Sequence, residues 1–256
     1  MQQNKTDHSQ DKPPVKQITH EVLHDLIHFD SKLFRTLPAL LFKPGKLTNA
    51  ALKGNDSNYV RPLALFVFIN FLFFILKSPG LFAYKLAIYA KEYKDVIEHQ
   101  LAEKHISMET LTERFNTAMH FEQKEYMVVM VPLFALALQL LFLLRRQHYI
   151  RHLVFSIHFY TFFIVFLMVI PLIIRPLAWL GGKGFPALKM INTEGFLVGT
   201  IVVACFSYLI LALKQVYGGN VLLNGVKALV LSFTVVFLVV FVYRTLMFYI
   251  VMHAIA

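Results

Sequence analysis

Three histidines, two arginines and two amides are the side chains whose type and setting bear on chemistry in this chain of 256 residues. His148, His152 and His158 gather where a long apolar run begins. Histidine carries protons and binds metals near neutral pH. Positions 152 and 158, however, are six apart and fall on different sides of a helix. A two-ligand helical face needs a spacing of about three or four, as in HExxH. The histidines therefore read first as helix-packing or interfacial groups and second as a proton or metal site. Arg244 lies deep in the last apolar run. An ionisable group at such depth marks a functional site by default. No Asp or Glu falls inside any apolar run, so the expected partners are backbone carbonyls, Asn70, Gln139, a lipid phosphate or water. The alternative is that Arg244 snorkels to the outer headgroups. Arg175, between Pro171 and Pro176, reads as the outer end of a span, with Glu194 as a surface partner. Asn70 and Gln139 read as helix-to-helix hydrogen-bonding groups.

Other chemistries lack their residues. Cys205 is the only cysteine, which excludes an intrachain disulfide and any CxxC pair. Tyr217-Gly218-Gly219-Asn220 has no GK[ST] after it and reads as a turn. There is no GxSxG and no carboxylate pair placed for hydrolysis. No cofactor and no bound metal are implied.

The elements that must position these groups are apolar helices. The chain is 57% hydrophobic and 16% charged. A soluble domain carries about 25% charged residues. The apolar residues also run together in stretches that a soluble core does not need. The formal net charge is +10, but the Lys and Arg side chains flank the apolar runs and form no continuous stripe. That distribution fits anionic lipid headgroups better than nucleic acid, and no nucleic-acid partner is expected. The expected fold is all-α: a polytopic helical bundle with about five transmembrane helices, an N-terminal amphipathic interfacial helix and an external helical hairpin.

Residues 1–30 are polar, with Pro13-Pro14, and read as partly disordered. They hold no apolar stretch of the signal-peptide kind, so the first span is expected to direct insertion. Within them Ile18, Val22, Leu26 and Phe29 recur at helical spacing. Residues 31–256 form the membrane domain. Leu33, Leu37, Leu40 and Leu41 share one helical face, with Lys32, Arg35 and Thr36 pointing elsewhere, which predicts an interfacial helix. Pro44-Gly45 turns the chain, and Leu47–Lys53 predicts a short helix ended by Gly54. Lys43, Lys46, Lys53 and Arg61 cluster before the first span as candidate membrane-surface contacts.

Spans are expected at about 62–76, 126–144, 152–180, 195–213 and 227–252. The first begins at Pro62, and its strictly apolar run is short of a ~30 Å hydrocarbon core. The third is expected to break near Pro171 and Pro176. Between spans one and two, 84–125 predicts a soluble hairpin. Leu86, Tyr89, Tyr93, Val96, Ile97 and Leu101 form one face, and Leu111, Phe115 and Met119 another. Lys91/Asp95 and Lys94/Glu98 are i,i+4 pairs, and Thr110 with Glu113 resembles a capping box. Charge sets the orientation. Arg145, Arg146 and Arg151 fill the loop between spans two and three, while Lys214 and Lys227 flank that between four and five. From Lys77 to Glu125 seven basic residues face eight acidic ones. The excess places the N-terminus in the cytoplasm and, with five spans, the C-terminus outside.

Three stretches together carry a family resemblance: TLPALLFKPGKLTNAALKGNDSNYVRPLALFVFINFLFFIL over Thr36–Leu76, HLVFSIHFYTFF over His152–Phe163, and YLILALKQVYGG over Tyr208–Gly219. The chain resembles the bacterial membrane family known as domain of unknown function 3667, over roughly residues 30–250. That resemblance implies a multi-pass protein of the bacterial cytoplasmic membrane and supplies no activity. Members often have a cysteine-rich N-terminus, which this chain lacks. Arg151 stands before the motif histidine where an acidic residue is expected, which undercuts any role needing a Glu–His pair.

The leading functional reading is a non-enzymatic scaffold or lipid- and protein-interacting membrane component, with a second copy or another membrane protein as its candidate partner. The second is a transporter or channel subunit with a mid-membrane polar site near Arg244. The third is an intramembrane lipid-modifying enzyme using His148, His152 and His158.

Overall fold

The computed structural model describes residues 31–55, 57–75, 84–122, 126–182 and 194–255. The expected helix within Lys16–Phe29 lies outside these. The described residues contain helices and no strand. In order they are α1 (31–42), α2 (Lys46–Leu52), α3 (Pro62–Ile75), α4 (Leu86–Tyr89), α5 (Lys94–Lys104), α6 (Met108–Glu122), α7 (Met130–Leu141), α8 (Tyr149–Gly182), α9 (Glu194–Tyr217), α10 (Val221–Phe237) and α11 (Arg244–Ala254). Tight 3-10 turns at Tyr126–Val129 and Leu143–Arg145 flank α7. A π-helical segment, Leu238–Tyr243, joins α10 to α11.

Among the described residues three helical stretches are long and apolar enough to cross a membrane: Tyr149–Ile174, Val198–Tyr217 and Val221–Ala254. The five comparable spans expected from the sequence are therefore three long helices and two short ones, Pro62–Phe73 and Met127–Leu141. The reason is length. At 1.5 Å per residue, α3 and α7 reach about 21 and 18 Å, against ~30 Å of hydrocarbon. The long helix α8 sits at the centre, with α3 and α7 packed on it, α9 beside α10, and α2 wedged against both α8 and α9.

Two local expectations are corrected. α8 runs unbroken for 34 residues through both Pro171 and Pro176. A proline removes one N–H and crowds the preceding turn. Leu167, Ile170 and Ile174 are buried on both sides of Pro171, so tertiary packing carries the helix through. The expected cap of α6 at Thr110 also shifts. Ser107 Oγ accepts the Thr110 N–H at 3.2 Å, so the helix starts three residues earlier than a Thr110–Glu113 box requires.

The hairpin is not a free appendage. α5 and α6 meet at His105, which takes a left-handed conformation (φ 51°). Leu111, Phe115 and Met119 are buried, and α6 packs against α11. Of the i,i+4 pairs, Lys94 and Glu98 lie 3.5 Å apart and well exposed, whereas Lys91 precedes α5. Tyr84 and Tyr89 approach α11 from the hairpin, and burial raises both phenols above the ordinary value of 10.0, with Arg244 opposing. A raised phenol stays protonated when the undocked chain would already have ionised. Docking is therefore undiminished below about pH 10 and weakens as pH rises past it. Amide exchange of α5 and α6 followed from pH 8 to 11, corrected for intrinsic rates, is expected to show protection falling only in the upper part of that range.

Candidate functional site

The three stretches that carry the resemblance meet at one end of the bundle. Gly45 (φ +84°) turns α1 into α2 directly on α9; a Cβ there would stand 2.8 Å from Gln215 Cβ and 3.0 Å from the Ala212 carbonyl. Asn49 Nδ2 then donates to the Gln215 carbonyl at 2.8 Å. Thr48, buried on another side of α2, meets His158 of α8, with Oγ1 3.1 Å from Nδ1. That nitrogen is also 3.1 Å from the Val154 carbonyl. A carbonyl only accepts, so Nδ1 carries the hydrogen and Thr48 Oγ1 shares it.

Six residues earlier on α8, nearly two turns, His152 is wholly buried and its Nδ1 lies 2.7 Å from the Tyr217 hydroxyl. Tyr217 stacks on Phe142 at a centroid distance of 4.2 Å. The C-terminus of α9 presents carbonyls with no helical partner. Two guanidinium groups take them: Arg145 Nη1 donates to the Tyr217 carbonyl at 2.6 Å, and Arg151 Nη2 to that of Val216 at 3.4 Å. Cations at this end also suit the helix dipole. Arg151 Nη1 donates to Gln147 Oε1 at 2.7 Å. Arg151, which broke the expected Glu–His pairing, is thus a clamp on α9. Tyr217-Gly218-Gly219-Asn220 is a turn. Gly218 and Gly219 have positive φ, Asn220 Oδ1 accepts the Leu222 N–H at 2.9 Å to cap α10, and Asn224 Nδ2 donates to the Gly218 carbonyl at 3.0 Å.

The candidate residues do not converge. His148 is exposed, and His152 and His158 are engaged by different helices. Arg244 is not matched with any partner expected for it. Its guanidinium pairs with Glu92, between α4 and α5, and lies over the Tyr89 ring. The Tyr89 hydroxyl donates to the Arg244 carbonyl at 3.2 Å, and the Tyr93 hydroxyl lies 2.8 Å from Thr245 Oγ1. The partner is a carboxylate after all, brought from outside the apolar runs. Arg244 also lies 23 residues beyond the start of the helix at Val221, about 35 Å along it, so it need not sit at mid-membrane. Gln139 Nε2 donates to the Gln147 carbonyl at 3.3 Å, in a loop and not a neighbouring helix. Asn70 Oδ1 is buried without a hydrogen-bond partner. Arg175 falls within α8, and its side chain lies outside the described residues.

The leucine face of the N-terminal helix packs on protein. Its leucines turn inward: Leu40 is buried, and Leu33, Leu37 and Leu41 pack on the core. Thr36, expected to point away, is buried; its hydroxyl donates to the Lys32 carbonyl at 2.6 Å and accepts the Val60 N–H at 3.1 Å. What α1 leaves outside is Phe34 (78% exposed) and Phe42 (80%). Beside them opens a groove of about 580 Å³ lined by Arg35, Pro38, Lys43, Lys46, Asn58 and Tyr59, among others. Lys43, Lys53 and Arg61 are exposed, and Lys46 is partly covered, its ammonium 5.8 Å from the centre of the Tyr59 ring. Sequence reasoning had put Arg35 on the polar face without a role and had not singled out Phe34 or Phe42. Their signal was present: two phenylalanines eight apart, off the leucine face.

No curated protein and no solved structure matches this chain. The second and third motif stretches, in α8 and α9, are not covered by any match. Residues 30–74, which run from the start of α1 almost to the end of α3 and include the groove, match the family described as Protein of unknown function (DUF3667).

Proposed function

We propose that this chain is a multi-pass, non-enzymatic component of a bacterial cytoplasmic membrane that engages anionic lipid at its inner end and presents the hairpin outside. The observation that carries the non-enzymatic part is the separation of the chemically capable groups. His152 is held by Tyr217, His158 by Thr48 and Arg244 by Glu92, and no two of these serve one site. A transport reading needs Arg244 to share a polar site with Asn70 or Gln139, and its ion pair to the hairpin gives that no support.

Five crossings, with α3 and α7 as thin ones, agree with the charge. Arg145 and Arg151 close the same end of α9 on which the Lys43–Lys46 turn sits, and the balanced hairpin docks on the far part of the last helix. An inner end rich in Lys and Arg follows the positive-inside rule. α7 and its flanking tight turns together cover 126–145, enough to cross with local thinning of the bilayer.

Impermeant thiol labelling tests the arrangement. In a Cys205→Ser background, single cysteines replace exposed Lys53, His99 and Arg146. Intact cells are expected to label position 99 alone, and inverted vesicles positions 53 and 146. Labelling of 99 and 146 from the same side would remove α7 as a crossing and the five-span arrangement with it.

A further inference from the structure

We propose that the groove beside α1 is a binding site for one acidic phospholipid, its phosphate held by Arg35, Lys43 and Lys46 and its upper acyl carbons laid along Phe34 and Phe42. The proposal rests on the membrane reading above and deepens it by naming a ligand class and a place. The groove has about 580 Å³ of space, within the range of small-molecule sites. Among the described residues no carboxylate pairs with Arg35, Lys43 or Lys46. A planar guanidinium beside two ammonium groups suits a phosphate diester.

The rest of the lining decides between a lipid and a free anion. Phe34 and Phe42 are the most exposed phenylalanines in the described chain. Inorganic phosphate would leave both rings in water, whereas acyl chains would cover them. The groove is also continuous with an apolar surface. Tyr59 lines it three residues before α3 begins. Along α3, Leu63, Val67, Phe71 and Ile75 are exposed at every fourth position, so one outward stripe leads away from the groove. A headgroup at the base of that stripe would let its chains follow α3, which is too short to span the hydrocarbon by itself.

The full chain, purified in mild detergent, is titrated with phosphatidylglycerol, with phosphatidylcholine and with inorganic phosphate, and read by native mass spectrometry. The expected result is one phosphatidylglycerol per chain, with a roughly tenfold or greater loss of affinity in the Arg35→Gln/Lys43→Gln/Lys46→Gln variant. A Lys104→Gln/Arg114→Gln variant, at exposed positions of the hairpin, is expected to keep wild-type affinity, and melting in detergent confirms that both variants are folded. Equal binding by the two variants, equal binding of phosphatidylcholine, or displacement of the lipid by inorganic phosphate would each overturn the site. So would lipid binding that appears only when residues 1–29 are removed, because the groove's occupant would then be that segment. If the wild type carries no lipid yet stays in membranes after carbonate washing, the site falls and the membrane reading stands. Release by carbonate would remove both.

Discussion

Gly45→Ala will destabilise the bundle by roughly 2–5 kcal/mol, the sum of two separate penalties. At φ +84° an alanine meets the left-handed steric cost, about 1–2 kcal/mol. Its Cβ would also stand 2.8 Å from Gln215 Cβ and 3.0 Å from a backbone carbonyl of α9. Neither atom is the free end of a flexible side chain, so α2 must back away from α9. Backing away strains the Asn49–Gln215 bond and the Thr48–His158 contact together. The molecule supplies its own control. Gly54 has a similar φ of +69° with nothing within 4 Å of a Cβ, so Gly54→Ala carries the backbone term alone. Melting of both variants in one detergent is expected to show Gly45→Ala clearly below Gly54→Ala. A disulfide engineered between positions 49 and 215, in the Cys205→Ser background, is expected to form slowly only in Gly45→Ala. Equal melting and equal crosslinking would mean that α2 does not sit against α9 as described.

Phe248→Ala will release the hairpin while the long helices hold. Phe248 is fully buried, stacks on Tyr93 at 4.3 Å between centroids, and touches Tyr89 at 5.0 Å and Phe115 at 5.9 Å. Truncating a buried phenylalanine costs about 3–5 kcal/mol. Here the loss falls on one interface, so it shows as local opening ahead of global unfolding. Amide exchange over α5 and α6 is expected to accelerate by about a hundredfold or more, with α8 and α9 unchanged. Glu92→Gln removes the ion pair to Arg244 but leaves the rings in place. Glu92 is 50% exposed, and pairs of that kind contribute about 1 kcal/mol or less. Its exchange is expected to rise less than about tenfold. Should Glu92→Gln open the hairpin as far as Phe248→Ala, docking would be electrostatic and the aromatic account would be wrong.

Those two interfaces mark where sequence reasoning stopped. Helical class, the Pro62 start of α3, the Gly54 end of α2 and the Tyr217–Asn220 turn were legible because each depends on neighbours within one or two turns of chain. Apolar runs named the long helices for the same reason. Whether Pro171 ends a helix was not legible, because Leu167, Ile170 and Ile174 decide it through contacts with distant segments. The partner of Arg244 was not legible either. Glu92 lies 152 positions away, and a search confined to apolar runs passes it by. The six-residue spacing of His152 and His158 already set them on different sides of a helix, but not their partners, Tyr217 for one and Thr48 for the other, which come from distant helices. The leucine stripe of α1 was visible as a pattern, but a pattern fixes only that one face is apolar. Which solvent meets that face depends on what packs there. The sequence by itself determined that the described chain is helical and where its long apolar helices run, since both follow from local composition. Only the tertiary structure decided that the leucines of α1 face protein while its phenylalanines are left outside, because that choice is made by the distant helices competing for the same surface.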